Sequence, residues 1–416
     1  MVDKGTSSVK TQPQPGSHPS EAELTWIYQL AQGGIGSLPV VLGLFLIAAI
    51  FQWANPNFLT PLNLTNLLVQ ISAVGTISVG IVFVLLIGEI DLSVGAVSGL
   101  CAAIMAVLSV KSGISAPIAI GIGILAGIGI GLLQGFWMAK LRVPSFVVTL
   151  AGLLGWQGAL LYVLGDTGTV NLNDPLILGL ANSQMPLIWG WLIGLIFVSG
   201  YAYSLFSERR HRLAAGVHAR PLAGLVGRVI LVAAGVLVAI GIMSINRNPN
   251  PDVPVQGIPS AVLIFLAFIV VFDFIARRTQ FGRYVFAVGG NIEAARRAGI
   301  NVDRIRIVVF VLSSTLAACG GILAGSRLYA VNQSSGGGDI LLNAIAAAVI
   351  GGTSLFGGRG SVWSALLGAL VIGSIANGMD LLALSAYIKF MVTGVVLLLA
   401  VTIDAYTRSR RELMGR

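Results

Sequence analysis

Two short polar segments interrupt an otherwise apolar chain, and they carry its candidate chemistry. The first, GEIDLSVG over residues 88–95, contains Glu89, Asp91 and Ser93. Acidic side chains at membrane depth are costly and usually face a cavity or a partner. We therefore predict that this broken helix lines a solute path and that its oxygens accept hydrogen bonds from solute or water. The alternative is that Asp91 and Ser93 only cap the following helix.

The second segment, IGGTSLFGGRGS over residues 350–361, adds Thr353 and Ser354 to the candidate path. Interrupted helices at matching positions in two halves of a transporter often flank its central path. Whether these two breaks mark an internal repeat stays open. The run GGRG lacks the Lys-Ser/Thr ending of a phosphate-binding loop, so we do not expect this chain to hydrolyse ATP itself.

A third segment, residues 277–306, is charged where the rest of the chain is apolar; we call it the arginine-rich loop. Its seven arginines are Arg277, Arg278, Arg283, Arg296, Arg297, Arg304 and Arg306.

Within the arginine-rich loop, Asn291 and Glu293-Ala294-Ala295 are followed after three residues by Gly299. A carboxylate near a helix start complements the helix dipole, and glycine often ends a helix in the left-handed conformation. The spacing predicts a short helix whose small alanines could enter a partner's groove. A solvated loop with ordinary caps is the alternative.

Composition places the elements around these segments in a membrane. Apolar residues make up 56% of the chain, charged residues 10%, and the mean hydropathy is +0.90. Soluble domains carry about 25% charged residues, and no stretch outside the apolar runs is long enough to form a catalytic domain. Cys101 and Cys319 lie in apolar runs, whereas His18, His211 and His218 lie in tails or loops. We therefore predict no metal site, no catalytic residue and no cofactor.

A window of about 20 residues predicts an all-α, polytopic bundle of about 12 spans, within a range of 10–12, with broken helices and a cytoplasmic helix in the arginine-rich loop. The predicted spans lie near 37–53, 71–88, 93–110, 116–138, 145–164, 187–206, 225–245, 260–276, 306–326, 341–356, 362–380 and 386–404. The second and tenth are interrupted by glycine and polar residues, so each could cross fully or re-enter.

The basic residues predict the orientation of the bundle. If both termini are cytoplasmic, all but four of the 25 basic residues fall on the cytoplasmic side, as the positive-inside rule requires. The four exceptions are Lys111, Arg247, Arg327 and Lys389. We thus predict a cytoplasmic N-terminal tail and lead-in over 1–36, a membrane domain over 37–404 and a cytoplasmic tail over 405–416. The net charge of +9 then reflects topology and not nucleic-acid binding.

Glycine is nearly twice as frequent as the usual share of about 7%, at 53 of 416 residues. In the fourth predicted span Gly123, Gly127, Gly131 and Gly135 recur every fourth residue. This spacing leaves one helix face bare and lets another backbone approach. We predict that these glycines pack helices tightly.

The segments 88–95, 281–300 and 344–361 together resemble the inner-membrane permeases of bacterial monosaccharide ABC importers, the ribose/xylose branch. The resemblance in order and spacing runs from about Asn57 to Asp404. The glutamate of GEID and the additional helices near 187–245 are most similar to xylose-type members.

The resemblance implies a permease subunit that moves xylose, or a related pentose or hexose, by alternating access. Its expected partners are an ATP-binding subunit docked on Asn291, Glu293, Ala294, Ala295 and Gly299, a periplasmic sugar-binding protein, and a second permease subunit. The second subunit is expected to be an identical copy, with a paralogue as the alternative. ATP is used by the partner, and the chain would be a multi-pass protein of the bacterial inner membrane. An ion-coupled secondary transporter or channel is the alternative function, and the sugar itself is not readable from the sequence.

Overall fold

The computed structural model describes residues 38–217, 221–248, 250, 252 and 254–413. The predicted N-terminal tail over 1–36 and the last three residues of the C-terminal tail lie outside them. Long apolar sequences close their backbone hydrogen bonds within helices, because lipid offers none, and the described chain is correspondingly mostly helical.

The helices are α1 (Leu38–Ala54), α2 (Pro61–Leu86), α3 (Val94–Val110), α4 (Ala116–Lys140), α5 (Ser145–Leu164), α6 (Pro175–Asn182), α7 (Leu187–Ala214), α8 (Leu222–Ser244), α9 (Ser260–Arg278), α10 (Gln280–Gly290), α11 (Ile292–Arg297), α12 (Val302–Leu328), α13 (Gly338–Ile350), α14 (Trp363–Leu381) and α15 (Ala386–Leu413). Every predicted span coincides with one of them. By length and composition, eight of the described helices can cross a membrane: α2, α4, α5, α7, α8, α9, α12 and α14. The predicted multi-span helical fold is confirmed.

The sequence does not decide whether the second and tenth predicted spans cross the membrane fully, and the corresponding helices, α2 and α13, differ in length. Helix α2 begins at Pro61, ten residues before the predicted start of this span, and continues unbroken for 26 residues. Thr60 caps it by accepting the Asn63 N–H. Helix α13 has only 13 residues; at 1.5 Å per residue it covers about 20 Å of a core that is about 30 Å thick. Thus α2 is long enough to cross, and α13 alone is not.

Helix α12 lies at the centre of the bundle and packs against α2, α3 and α4. The predicted glycine stripe of α4 lies along it. A Cβ at Gly127 would sit 2.8 Å from the Ser314 carbonyl oxygen, and one at Gly135 would sit 2.8 Å from Cα of Ile307. Gly123 instead faces α3, with the Cys101 carbonyl oxygen 2.9 Å from a Cβ placed there. The glycines therefore allow backbone-to-backbone contact in the core.

Two pairs of short antiparallel strands close one end of the bundle. Strand β1 (Thr169–Asn171) pairs with β4 (Ala330–Asn332), and β2 (Gln184–Met185) pairs with β3 (Ile258–Pro259). We call this the strand end. Helices α9 and α12 run from it to the arginine-rich loop, which marks the opposite, loop end. Helices α7 and α8 pack against each other and leave most of their side chains exposed.

We expect Gly131→Ala to lower the thermal unfolding midpoint of the protein in detergent. Its added Cβ would lie 2.5 Å from Cα of Val311, and overpacking of this kind costs roughly 1–3 kcal/mol. Gly129→Ala is the matched control, because the space around Gly129 is open. Equal midpoints for the two variants would contradict close packing of α4 on α12.

Candidate functional site

The two predicted breaks meet at the loop end of the bundle. The Gly358 N–H donates a hydrogen bond of 2.9 Å to the Leu86 carbonyl, which joins the end of α2 to the loop after α13. Gly88 and Gly357 adopt left-handed φ values of +74° and +85° at this junction. Helix α10 of the arginine-rich loop lies against it, and a Cβ at Gly289 would overlap the Leu86 carbonyl oxygen. The three segments chosen from the sequence thus form one site.

Glu89 joins three elements at this site. Its Oε1 lies 2.7 Å from Nη2 of Arg306, in the first turns of α12, and both side chains are mostly buried. Its Oε2 accepts a hydrogen bond of 2.5 Å from Ser145, the first residue of α5. A cavity of about 310 Å³ beside Glu89 is also lined by Arg142 and Arg296. Glu89 therefore ties the first break to the helix that follows the arginine-rich loop.

Asp91 lies deeper and belongs to a closed polar network. Its Oδ1 accepts from the backbone N–H of Ser93 at 2.9 Å and from the Ser93 hydroxyl at 2.7 Å. Its Oδ2 accepts from the Ser313 hydroxyl of α12 at 3.2 Å, and the Gln134 amide of α4 donates to the Ser93 hydroxyl at 2.9 Å. No described basic side chain pairs with Asp91. The chain itself uses both carboxylate oxygens, so this network fastens α3, α4 and α12 together.

The second break supplies one buried hydroxyl with unused hydrogen-bonding capacity. Thr353 is buried, its N–H donates to the Ala348 carbonyl, and its Oγ1 has no partner among the described residues. The Ser354 hydroxyl accepts from the Phe356 N–H and so stabilises the turn. Neither residue lines the cavity beside Glu89.

The short helix predicted in the arginine-rich loop is α11. The Asn291 side chain caps it by accepting the Ala294 N–H at 2.9 Å, and Glu293 in the first turn pairs with Arg296 at 3.0 Å. Gly299 ends it with a left-handed φ of +80°. Ala295 is buried against the core, whereas Ala294 is exposed. The exposed face of α11 therefore contains Asn291, Glu293 and Ala294, and Ala295 anchors the helix.

Sequence reasoning did not identify four side chains as members of this site: Ser145, Gln134, Arg306 and Ser313. Gln134 is a lone amide in the apolar α4, and such a residue signals a buried polar partner. Arg306 was visible only as one of seven arginines. Its link to Glu89 spans more than 200 positions, and no local pattern could reveal it.

Comparison with known proteins identifies a permease family and relatives named as sugar-transport permeases. The chain matches, over residues 63–401, the protein family described as branched-chain amino acid transport system / permease component. It is 36% identical over 400 residues to the xylose transport system permease protein XylH of Escherichia coli (strain K12), covering 95% of this chain and 99% of the relative. It is 33% identical over 373 residues to the ribose import permease protein RbsC of Bacillus subtilis (strain 168), covering 89% and 94%. No solved structure shows a significant match.

We expect Glu89→Gln and Arg306→Gln each to lower the thermal unfolding midpoint, and the double variant to lower it by less than the sum. The side chains share one ion pair, and a partly exposed pair couples by about 1 kcal/mol or less. Arg304→Gln is the control, since Arg304 is exposed and has no ion pair within the described chain. Fully additive shifts would show that the pair does not couple the two segments.

Replacing Asp91 should separate its acceptor role from its charge. Asp91→Ala leaves the Ser93 N–H and the Ser313 hydroxyl without their acceptor, each costing about 1–3 kcal/mol, so folded yield and midpoint should fall sharply, although the Ser93 hydroxyl can still donate to Gln134 Oε1. Asp91→Asn keeps Oδ1 as an acceptor and should retain most of the stability. A stable Asp91→Ala protein would contradict the structural role of the network.

Proposed function

The chain belongs to the permease family described as branched-chain amino acid transport system / permease component, and from this membership we propose that it is the membrane-spanning subunit of an ATP-driven importer of a monosaccharide. Xylose and ribose appear in the names of its relatives, and they favour xylose or a related pentose or hexose. The chain would move sugar by alternating access, and a separate ATPase subunit would use the ATP.

The structural observation that carries this proposal is the orientation of α11, which has one face exposed and the other packed on the bundle. Its exposed face offers Asn291, Glu293 and Ala294 to a partner, while buried Ala295 holds it against the bundle. Helix α11 contacts α12, and the ion pair of Arg306 with Glu89 connects α12 to the first break. A displacement of α11 would therefore act on the first break through α12. An ATPase docked here could therefore move the junction of the two breaks without touching the membrane core.

The remaining partners are proposed on family grounds. A sugar-binding protein would deliver solute at the strand end, and a second permease subunit, an identical copy in this proposal, would complete the transporter. The asymmetry of basic residues supports an inner-membrane orientation with the arginine-rich loop and both termini in the cytoplasm.

An ion-coupled secondary transporter is less well supported, because four acidic side chains of the described residues that could couple an ion are already engaged. Glu89 pairs with Arg306, Asp273 with Arg277, and Asp380 with Lys389. Asp91 accepts only from chain donors. Import that requires ATP and a binding protein, and that persists when ion gradients are collapsed, would separate the two functions.

We expect Gly299→Val and Ala294→Trp to uncouple the protein reconstituted with its ATPase and binding protein. Valine is strained at φ +80° by about 1–3 kcal/mol, which displaces the end of α11. Tryptophan at exposed Ala294 obstructs docking while leaving the core intact. Stimulation of ATP hydrolysis by the loaded binding protein and sugar import should both fall.

Ala214→Trp at the end of α7 is the matched control, because Ala214 is exposed and outside the arginine-rich loop. It should import sugar normally. If Gly299→Val and Ala294→Trp import at the wild-type rate with coupled hydrolysis, α11 is not the ATPase contact.

A further inference from the structure

A polar cavity of about 530 Å³ opens at the strand end, far along the bundle from the junction of the two breaks. Its volume falls in the range of about 300–1,000 Å³ typical of small-molecule sites. The first half of α2 forms one wall, since Asn63, Asn66 and Gln70 follow one another at helical spacing. The ends of α6, α12 and α14, the β2 strand and the segment between α8 and β3 form the rest.

Some of the polar groups in this cavity are occupied by the fold. Asn63 and Asn377 form a reciprocal amide pair, at 2.7 and 3.0 Å. Arg247 is buried and donates to the carbonyls of Met243 and Gly257 and, at 2.9 Å, to Oε1 of Gln184. Arg247 thus positions the Gln184 amide at the cavity wall.

Other groups are available to a ligand. Asn66, Gln70 and Arg327 make no side-chain hydrogen bond or ion pair with another described residue, although they line the cavity. Gln184 uses only its oxygen, so its amide N–H groups are free. Asn182 uses only its nitrogen, which donates to the carbonyls of Leu178 and Ser326, so its oxygen is free.

This mixture of donors and acceptors selects among ligand classes. An anion would face the Asn182 oxygen and the Asp380 carboxylate, and a cation would face Arg247 and Arg327. A neutral molecule with several hydroxyl groups fits best, because each hydroxyl both donates and accepts, as amides do. Leu62 and Val69 supply apolar surface for its C–H groups.

We propose that this cavity binds the free monosaccharide at the strand end, with Asn66, Gln70, Gln184 and Arg327 as its hydrogen-bonding groups. The inference rests on the proposed function and assigns the sugar contact to α2. Because α2 continues to Leu86 and the junction of the breaks, sugar in the cavity would contact the same helix that the arginine-rich loop acts on. The contacts need only be weak, since a conducted solute must also leave.

Transport provides the first test, in vesicles containing the permease, its ATPase and its binding protein loaded with radiolabelled D-xylose or D-ribose. The double variant Asn66→Ala/Gln70→Ala should lower import by about fivefold or more, the scale expected for lost hydrogen bonds. ATP hydrolysis stimulated by the binding protein should persist, because the arginine-rich loop is untouched. Gln157→Ala is the control: this amide of α5 binds the Gln333 carbonyl outside the cavity.

Thiol protection provides the second test and does not depend on ATP. A Gln70→Cys variant should react with a membrane-impermeant methanethiosulfonate faster than the unsubstituted chain, because Gln70 lines the open cavity whereas Cys101 is buried and Cys319 is half-buried outside it. D-xylose or D-ribose should slow this reaction, whereas sodium sulfate at the same concentration should not.

The outcomes separate the two proposals. If the wild type imports sugar while the double variant imports equally well and sugar gives no protection, the cavity is not the sugar site and the proposed function stands. Protection by sulfate alone would identify an anion site and overturn the inference. If the wild type imports neither sugar with both partners present, the proposed function fails and the inference fails with it.

Discussion

The hydrogen bond from the Gly358 N–H to the Leu86 carbonyl is the contact on which the loop end depends. A helix that stops inside a membrane leaves carbonyl groups without partners, and each costs free energy unless the protein supplies a donor. Here the Gly358 N–H of the second break is the donor for the Leu86 carbonyl at the first break. Glycines at 88 and 357 make the approach possible by adopting left-handed backbone angles. The end of α2 and the loop after α13 therefore join through their backbones at the loop end.

Joining the breaks has a mechanical consequence. Helix α10 packs on the junction through Gly289, and α12 reaches it through the ion pair of Arg306 with Glu89. Both helices flank α11, so a displacement of α11 is transmitted to the junction along two routes. The Asp91 network connects the start of α3 to Gln134 near the end of α4 and to Ser313 in the middle of α12. It thus fixes these three helices relative to one another next to the junction.

The helical spans were predictable because hydropathy reports burial in lipid, and the short helix α11 was predictable because its cap and terminal glycine are local signals. The start of α2 was not predictable from hydropathy. Asn63, Thr65, Asn66 and Gln70 lower the hydropathy of its first ten residues, although the helix continues through them. These residues face protein or a cavity and not lipid, and a hydropathy window cannot distinguish the two. The sequence predicts a path at the acidic break because buried charge is a strong local signal, and that prediction remains untested; the neutral amides of α2 give no comparable signal.

Helix α2 connects the strand-end cavity with the junction of the two breaks. Its first half lines the strand-end cavity and its last residue accepts the hydrogen bond at the junction of the breaks, so one rigid 26-residue element spans both. A solute contact at one end of α2 could therefore be linked to the junction at the other end without a continuous polar channel between them. The segment from Ile77 to Leu86 between them is almost wholly buried and mostly apolar. Helix α2 approaches the backbone of α12 at Gly80 and Ser313, and the arginine-rich loop contacts α2 at a different point, where Gly289 faces the Leu86 carbonyl.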